Sequence, residues 1–223
     1  MKQIVIGLGT GRCGTKSLAY LLNLQANAEV HHEKHDANIR WNRSEQEIDV
    51  FLNWCKSNTR QLVGDVSFYY LPYVNYIWHQ IPTVKFVCLQ RERKATVNSY
   101  MSWTNDKNHW INHDGTNWKL DEWDHCYPKY DLDDKFTAIC RYYDEYYSVA
   151  CKVQDENPNY FRIFPINMLN SISGQHNILD YIGISRRQRR IEVAVRLNYS
   201  ALSWQNSRSF LRILGWLHKQ KLL

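Results

Sequence analysis

Residues 4–18 read IVIGLGTGRCGTKSL. An apolar stretch runs into a glycine-rich turn, and a polar run, Thr15-Lys16-Ser17, opens an amphipathic segment. Strand, glycine loop and helix start together turn backbone N–H groups and the positive end of a helix toward an anion. The chemistry offered is phosphate binding, with Arg12 and Lys16 as cations and Thr15 and Ser17 as hydroxyl donors. Cys13 sits inside the loop, but a phosphatase nucleophile would need an arginine six residues on, where Ala19 stands. Cys13 is therefore expected to contribute its backbone and not its thiol.

Three chemistries use such a loop. A nucleotide kinase or NTPase requires G-x-x-x-x-G-K-[ST]. Gly9 and Gly14 have that gap, but Thr15 intervenes before Lys16-Ser17, and one extra residue turns the lysine by about 100° around the helix start. Asp65, closing QLVGD, would serve as the metal-binding carboxylate of that reading. A dinucleotide-binding fold requires G-x-G-x-x-G after a strand and an acidic residue about 20 positions on. Gly9, Gly11, Gly14 and Glu33 satisfy it formally. Its helix start usually packs small apolar residues, whereas here the polar run follows the third glycine.

The third chemistry gives Arg12 a role. The segment G-T-G-R-C-G-T-K-S-L resembles the 5′-phosphosulfate loop of the 3′-phosphoadenosine 5′-phosphosulfate (PAPS)-dependent sulfotransferases, and Arg12, Gly14, Thr15 and Ser17 fall on that pattern. A second segment, L-Q-R-E-R-K-A-T-V-N-S-Y, places Arg91 and Ser99 eight residues apart after another apolar run. The resemblance implies that these two hold the donor's 3′-phosphate, an element that neither rival chemistry predicts. It also implies that the amides of Gly11, Arg12, Cys13, Gly14 and Thr15 cradle the 5′-phosphosulfate. As the S–O bond breaks, the donor's phosphate oxygen gains charge, and a fixed cation there favours the transition state over the ground state. The transferred group carries less charge than a phosphoryl group, so no metal is expected.

An attacking hydroxyl needs a base. The sequence E-V-H-H-E-K-H-D ends the second apolar run, where the resembling carbohydrate and protein-tyrosine branch has a catalytic glutamate. Glu33 is the expected base, with His32 and His35 as rivals because histidine titrates in the useful range. Two departures weaken the match. Lys16 replaces the usual Thr or Ser, and in G-D-V-S-F-Y-Y-L Val66 stands where the family often has a sulfonate-contacting lysine, although the neighbouring Ser67 matches. Lys16 is expected to supply the missing cation. A non-catalytic nucleotide-binding protein is the reading these departures leave open. HHEKHD misses H-E-x-x-H by one place, and His109 and His113 lack a third ligand, so no zinc site is expected.

The elements that must position these groups read as α/β. Apolar runs at 2–7, 28–32, 61–65, 83–89 and 160–164 predict buried strands. Helical patterns lie at 15–24, at 44–57 behind a Ser44-x-x-Glu47 capping box, at 72–80 and at 94–103. The longest, near 133–154, sets Phe136, Ile139, Tyr143, Tyr146, Ala150 and Val153 on one face. This alternation predicts a three-layer P-loop-type fold, with a central parallel sheet of about five strands flanked by helices and ligands at the carboxyl ends of the strands. One domain is expected over 1–223. Within it, 104–132 is a long aromatic-rich loop on the expected acceptor side, and its tryptophans either stack on the acceptor or anchor the loop. The last 45 residues look helical, with Arg186-Arg187-Gln188-Arg189-Arg190 reading as a solvated face or a phosphate contact.

The totals fit. A net charge of +6 favours anionic ligands, and 44% hydrophobic with 22% charged residues is ordinary for a globular protein. No apolar run approaches the roughly 18 residues of a membrane span, and a strand starting at Lys2 leaves no room for a leader before it, so a cytoplasmic protein with reduced thiols is expected. The expected partners are a nucleotide donor and a hydroxyl acceptor, with no nucleic acid, since no base-stacking module accompanies the basic run. Neither the acceptor's identity nor an oligomeric state can be read from these residues.

Overall fold

Five apolar runs pair as strands, β1 (Gln3–Leu8), β2 (Ala28–His32), β3 (Leu62–Val66), β4 (Lys85–Gln90) and β5 (Phe161–Pro165). The computed structural model describes residues 2–34, 39–42 and 45–193. All four strand pairings are parallel, in the order β2-β3-β1-β4-β5. Alternation along β1 feeds two cores. Ile4, Ile6 and Leu8 pack with residues of α2 (Gln46–Ser57), α3 (Val74–Gln80), α4 (Arg93–Thr104) and α5 (Lys135–Glu156) on one face. Val5 packs with α1 (Thr15–Asn23) and α6 (Ile172–Tyr181) on the other. The predicted three-layer α/β arrangement is therefore present, with β1 in the middle.

The helices depart from expectation in three places. Residues 68–73 form a 3-10 turn that runs directly into α3. Ser44, and with it the expected capping box, lies outside the described residues, and Glu45 stands at the start of α2. Phe136 is 47% exposed and is not on the buried face of α5. Lys135 takes the inward place at that end: its Nζ donates to the Asn105 carbonyl at 2.8 Å and lies 5.1 Å from the Trp118 ring centroid. The other expected residues, Ile139, Tyr143, Tyr146, Ala150 and Val153, are buried, and Tyr142 and Tyr147 join them.

The 104–132 segment has little regular structure beyond a 3-10 turn at Glu122–Cys126, yet it is fastened down. Trp110 is fully buried against Tyr100 and Tyr127, and the Tyr130 amide donates to the Trp110 carbonyl at 2.7 Å. His109 and His113 do not share a helix. His109 donates or accepts through Nδ1 at the Asp124 carboxylate, 2.7 Å away, and stacks on Tyr127. After α6 the basic run is mostly structural, with Arg186 and Arg189 both pairing with Asp180 and holding its carboxyl far below the usual range. Helicity expected for the end of the chain falls largely on residues 194–223, outside those described.

Candidate anion-binding site

Because β1 is central, the glycine loop leaves the sheet between the ends of β3 and β4. Gly11 and Gly14 have φ of 84° and 93°, a region that side chains enter only at a cost, and Arg12 itself has φ of 54°. A Cβ at Gly11 would sit 2.3 Å from the Tyr100 hydroxyl. Gly14 is the N-cap of α1, and no side chain caps its first turn, so the helix start presents its dipole toward the loop. One expectation needs correction: the Gly11 amide donates to the Gly9 carbonyl at 2.7 Å, which turns it into the loop. The Cys13 side chain is fully buried among Leu18, Val87 and Leu89, and burial pushes its thiol up to about 11. A buried, protonated thiol is a poor nucleophile.

The loop's shape is imposed from α4 and α5. Tyr142 donates to the Thr10 carbonyl at 3.0 Å, and Tyr100 donates to the same carbonyl. Tyr146 accepts from the Gly9 amide at 3.0 Å and donates to the Phe68 carbonyl at 3.1 Å. Tyr147 reaches the Leu89 carbonyl and Tyr143 the Arg91 carbonyl, each at 2.7 Å. Four phenols from one helix thus tie the carboxyl ends of β1 and β4 and the turn after β3. None of these hydroxyls was singled out from sequence. The signal was present in Y-Y-D-E-Y-Y, because buried tyrosines must find acceptors for their hydroxyls.

The two segments expected to bind phosphate meet. Arg91 Nη1 donates to the Arg12 carbonyl at 2.9 Å, and Arg12 Nε donates to Ser99 Oγ at 3.2 Å. The Arg12 guanidinium lies 5.3 Å from the Trp103 ring centroid, a cation–π contact of about 0.5–2 kcal/mol. Residues 12, 91 and 99 come from the β1 loop, the end of β4 and the second turn of α4. Glu92 begins that helix, its carboxylate accepting from the Lys94 and Ala95 amides.

A cleft of about 130 Å³ opens beside this junction, lined by Gly11, Arg12, Thr15, Lys16, His32 and Glu33. Phe68, Tyr100, Trp103, Trp123 and Tyr127 supply its aromatic lining. The tryptophans divide as both expectations allowed: Trp110 anchors the segment, while Trp103 and Trp123 face the cleft. Lys16 is exposed and directed into this group, despite the extra residue before it. Ser17 begins α1 with Thr15 and Lys16 but is not among the lining residues.

Glu33 follows β2 with φ of 56°, and its amide donates to the Val66 carbonyl at 3.3 Å. Asp65 braces this turn from behind, accepting from the Val66 amide at 2.9 Å, from the Tyr70 hydroxyl at 2.8 Å and from the Lys34 amide. That carboxyl is fully buried in the core on the α2–α3 side, and burial raises its pKa. It is not a metal ligand facing the loop, so the kinase reading loses its carboxylate. Val66 packs against Gly7 inside the opposite core and reaches no cleft. Ser67 is fully buried, and its hydroxyl has no protein partner. His35 lies outside the described residues.

The dinucleotide reading fails on strand order. In the doubly wound dinucleotide fold β2 adjoins β1, which brings its terminal acid to the ribose. Here β3 lies between them. Among the described residues no cluster of three His, Cys, Asp or Glu could hold a metal ion, and no helix is long and apolar enough to cross a membrane.

No protein-family model matches the chain, and no curated protein matches it either. Solved structures do. A sulfotransferase from Alicyclobacillus acidocaldarius superposes with a TM-score of 0.52 at 14% identity, over 99% of this chain and 93% of that one. The chain has a sulfotransferase fold. A mouse sulfotransferase, SULT7A1, complexed with PAP, gives a TM-score of 0.49 at 10% identity over 83% of this chain, which spans 60% of its length. In this sulfotransferase fold, the loop, Arg91, Ser99 and Glu33 stand together at the carboxyl edge of the sheet.

Proposed function

We propose that the chain transfers a sulfuryl group from 3′-phosphoadenosine 5′-phosphosulfate to an acceptor hydroxyl. The observation that carries this reading is the junction of Arg12, Arg91 and Ser99, from segments some eighty residues apart that pair with one another at 2.9 and 3.2 Å. Two anion-binding elements side by side suit a donor with phosphates at both ends of its ribose. In this reading the amides from Arg12 to Thr15, with the Thr15 and Ser17 hydroxyls, hold the 5′-phosphosulfate. Arg91 and Ser99 hold the 3′-phosphate.

The acceptor hydroxyl enters along the aromatic wall, and Glu33 takes its proton as oxygen attacks sulfur. Electrons of the breaking S–O bond go to the phosphate oxygen, where Arg12 and Lys16 meet the new charge. Among the described residues lining the cleft, Lys16 is the further cation, since Val66 is buried. His32 is a poor rival base, because burial and then the Lys16 ammonium lower its pKa to about 3. A glutamate at the end of β2 supports a reading nearer the carbohydrate and protein-tyrosine branch. No metal is required, since the transferred group is less charged than a phosphoryl group.

Calorimetric titration of adenosine 3′,5′-bisphosphate, with NAD and Mg-ATP in parallel, tests the donor. Tight binding of the bisphosphate alone, weakened in Arg91→Ala, is expected. Losing a charged hydrogen-bond donor costs about 1.5–3 kcal/mol, or roughly 10- to 100-fold in affinity. A preference for NAD or Mg-ATP would overturn the reading.

A further inference from the structure

His32 bridges the loop and the proposed base. Its Nε2 lies 3.0 Å from Thr15 Oγ1, and its Nδ1 lies 3.4 Å from a Glu33 carboxylate oxygen. The side chain is only 9% exposed. Burial, with Lys16 nearby, lowers its pKa to about 3, so the ring is neutral and carries one proton. Nδ1 faces a carboxylate, and a lone pair aimed at a carboxylate oxygen is repelled, so the proton belongs on Nδ1. A hydrogen bond to the residue's own backbone also favours the protonated ring. Nε2 then holds the lone pair, and Thr15 must be the donor in the 3.0 Å contact.

A threonine hydroxyl has a single proton to donate. If Thr15 turns it toward an anion in the loop, His32 Nε2 becomes a buried acceptor without a donor, a costly state. Binding a proton relieves it. Lys16 of α1 opposes protonation of the ring and Glu33, at 3.4 Å, favours it; Arg12, Tyr100 and Tyr127 line the same cleft. An anion in the loop neutralises Lys16, so both effects act in the same direction.

We propose that Thr15, His32 and Glu33 form a relay through which an anion bound in the glycine loop sets the state of the base. The anion takes the Thr15 hydrogen bond, His32 Nε2 takes up one proton from solvent, and the cationic ring holds Glu33 as the carboxylate. His32 is in this account a positioning residue, since it acts through Glu33. The relay rests on the reading that the loop holds the donor's phosphate. It would pair the carboxylate base with a cation only while donor is present.

Imidazole nitrogen resonances followed through a pH titration, with and without adenosine 3′,5′-bisphosphate, test it. Calorimetry in two buffers of different ionisation enthalpy counts the protons. The ligand is expected to raise the pKa of His32 from about 3 toward its ordinary value of about 6.5, with net proton uptake near pH 6. His32→Asn should abolish that uptake while the bisphosphate still binds. Thr15→Val should raise the His32 pKa in the free protein and shrink the further change on binding. If the bisphosphate binds and the His32 resonances and proton count do not move, the relay is wrong and the proposed donor stands. If it does not bind, the proposed donor and the relay fall together.

Discussion

In the proposed reaction, Arg12 is the residue on which the chemistry turns. Its carbonyl, its Nε and its guanidinium face each meet a different partner: Arg91, Ser99 and Trp103. A cation held this way loses little freedom when charge develops nearby, so its effect belongs in the transition state. Arg12→Ala should lower turnover by roughly 10²–10³ and change bisphosphate affinity far less; rates with a hydroxyl acceptor beside calorimetry check this. An equal loss in both would make Arg12 a binding residue. The residues of this junction were legible because type and spacing announce them: arginine in a glycine loop, and arginine and serine eight apart after a strand. The Gly11 amide was misjudged, because motif spacing says nothing of which way a peptide unit faces. The inward turn of Asp65 was equally hidden, since a strand-end carboxylate reads the same whichever core it enters.

At the scale of elements, α5 is more than a core helix. Its phenols take the place of water at strand-end carbonyls that a bound nucleotide would otherwise leave half-solvated. Tyr146→Phe strands the Gly9 N–H and the Phe68 carbonyl, and unsatisfied buried groups cost about 1–3 kcal/mol each. The variant should unfold at lower urea, and amide exchange at Gly9 should accelerate before global unfolding. Unchanged exchange there would mean the loop holds its own shape. The strands were legible because a parallel sheet buried on both faces leaves continuous apolar runs. The 104–132 segment was not, because its fixing comes from Trp110, the His109–Asp124 pair and backbone bonds between residues far from any periodic pattern. Phe136 followed the helical period and still faced solvent, because Lys135 found a carbonyl and a ring to cover it.

For the whole molecule, the sheet order argues against one of the chemistries that the loop alone left open. Placing β3 between β1 and β2 removes Glu33 from ribose distance in a dinucleotide, and Glu33 lines the same cleft as the aromatic residues. A ligand that binds only the folded chain stabilises it by about 2.7 kcal/mol at a hundred times its dissociation constant. Adenosine 3′,5′-bisphosphate should therefore raise the melting temperature, with the same shift in EDTA as in Mg²⁺. A shift that EDTA removes would argue for a metal-bound nucleotide and against the proposed donor.

The tyrosine ties have a consequence for the order in which the protein is made. Thr10 and Tyr142 are 132 positions apart, and Gly9 and Tyr146 are 137 apart. The loop leaves the ribosome well before the phenols that shape it. Contacts of such separation form late, after shorter loops have closed. A nascent chain therefore carries the glycine-loop sequence long before that loop has its shape, which α5 completes as it docks.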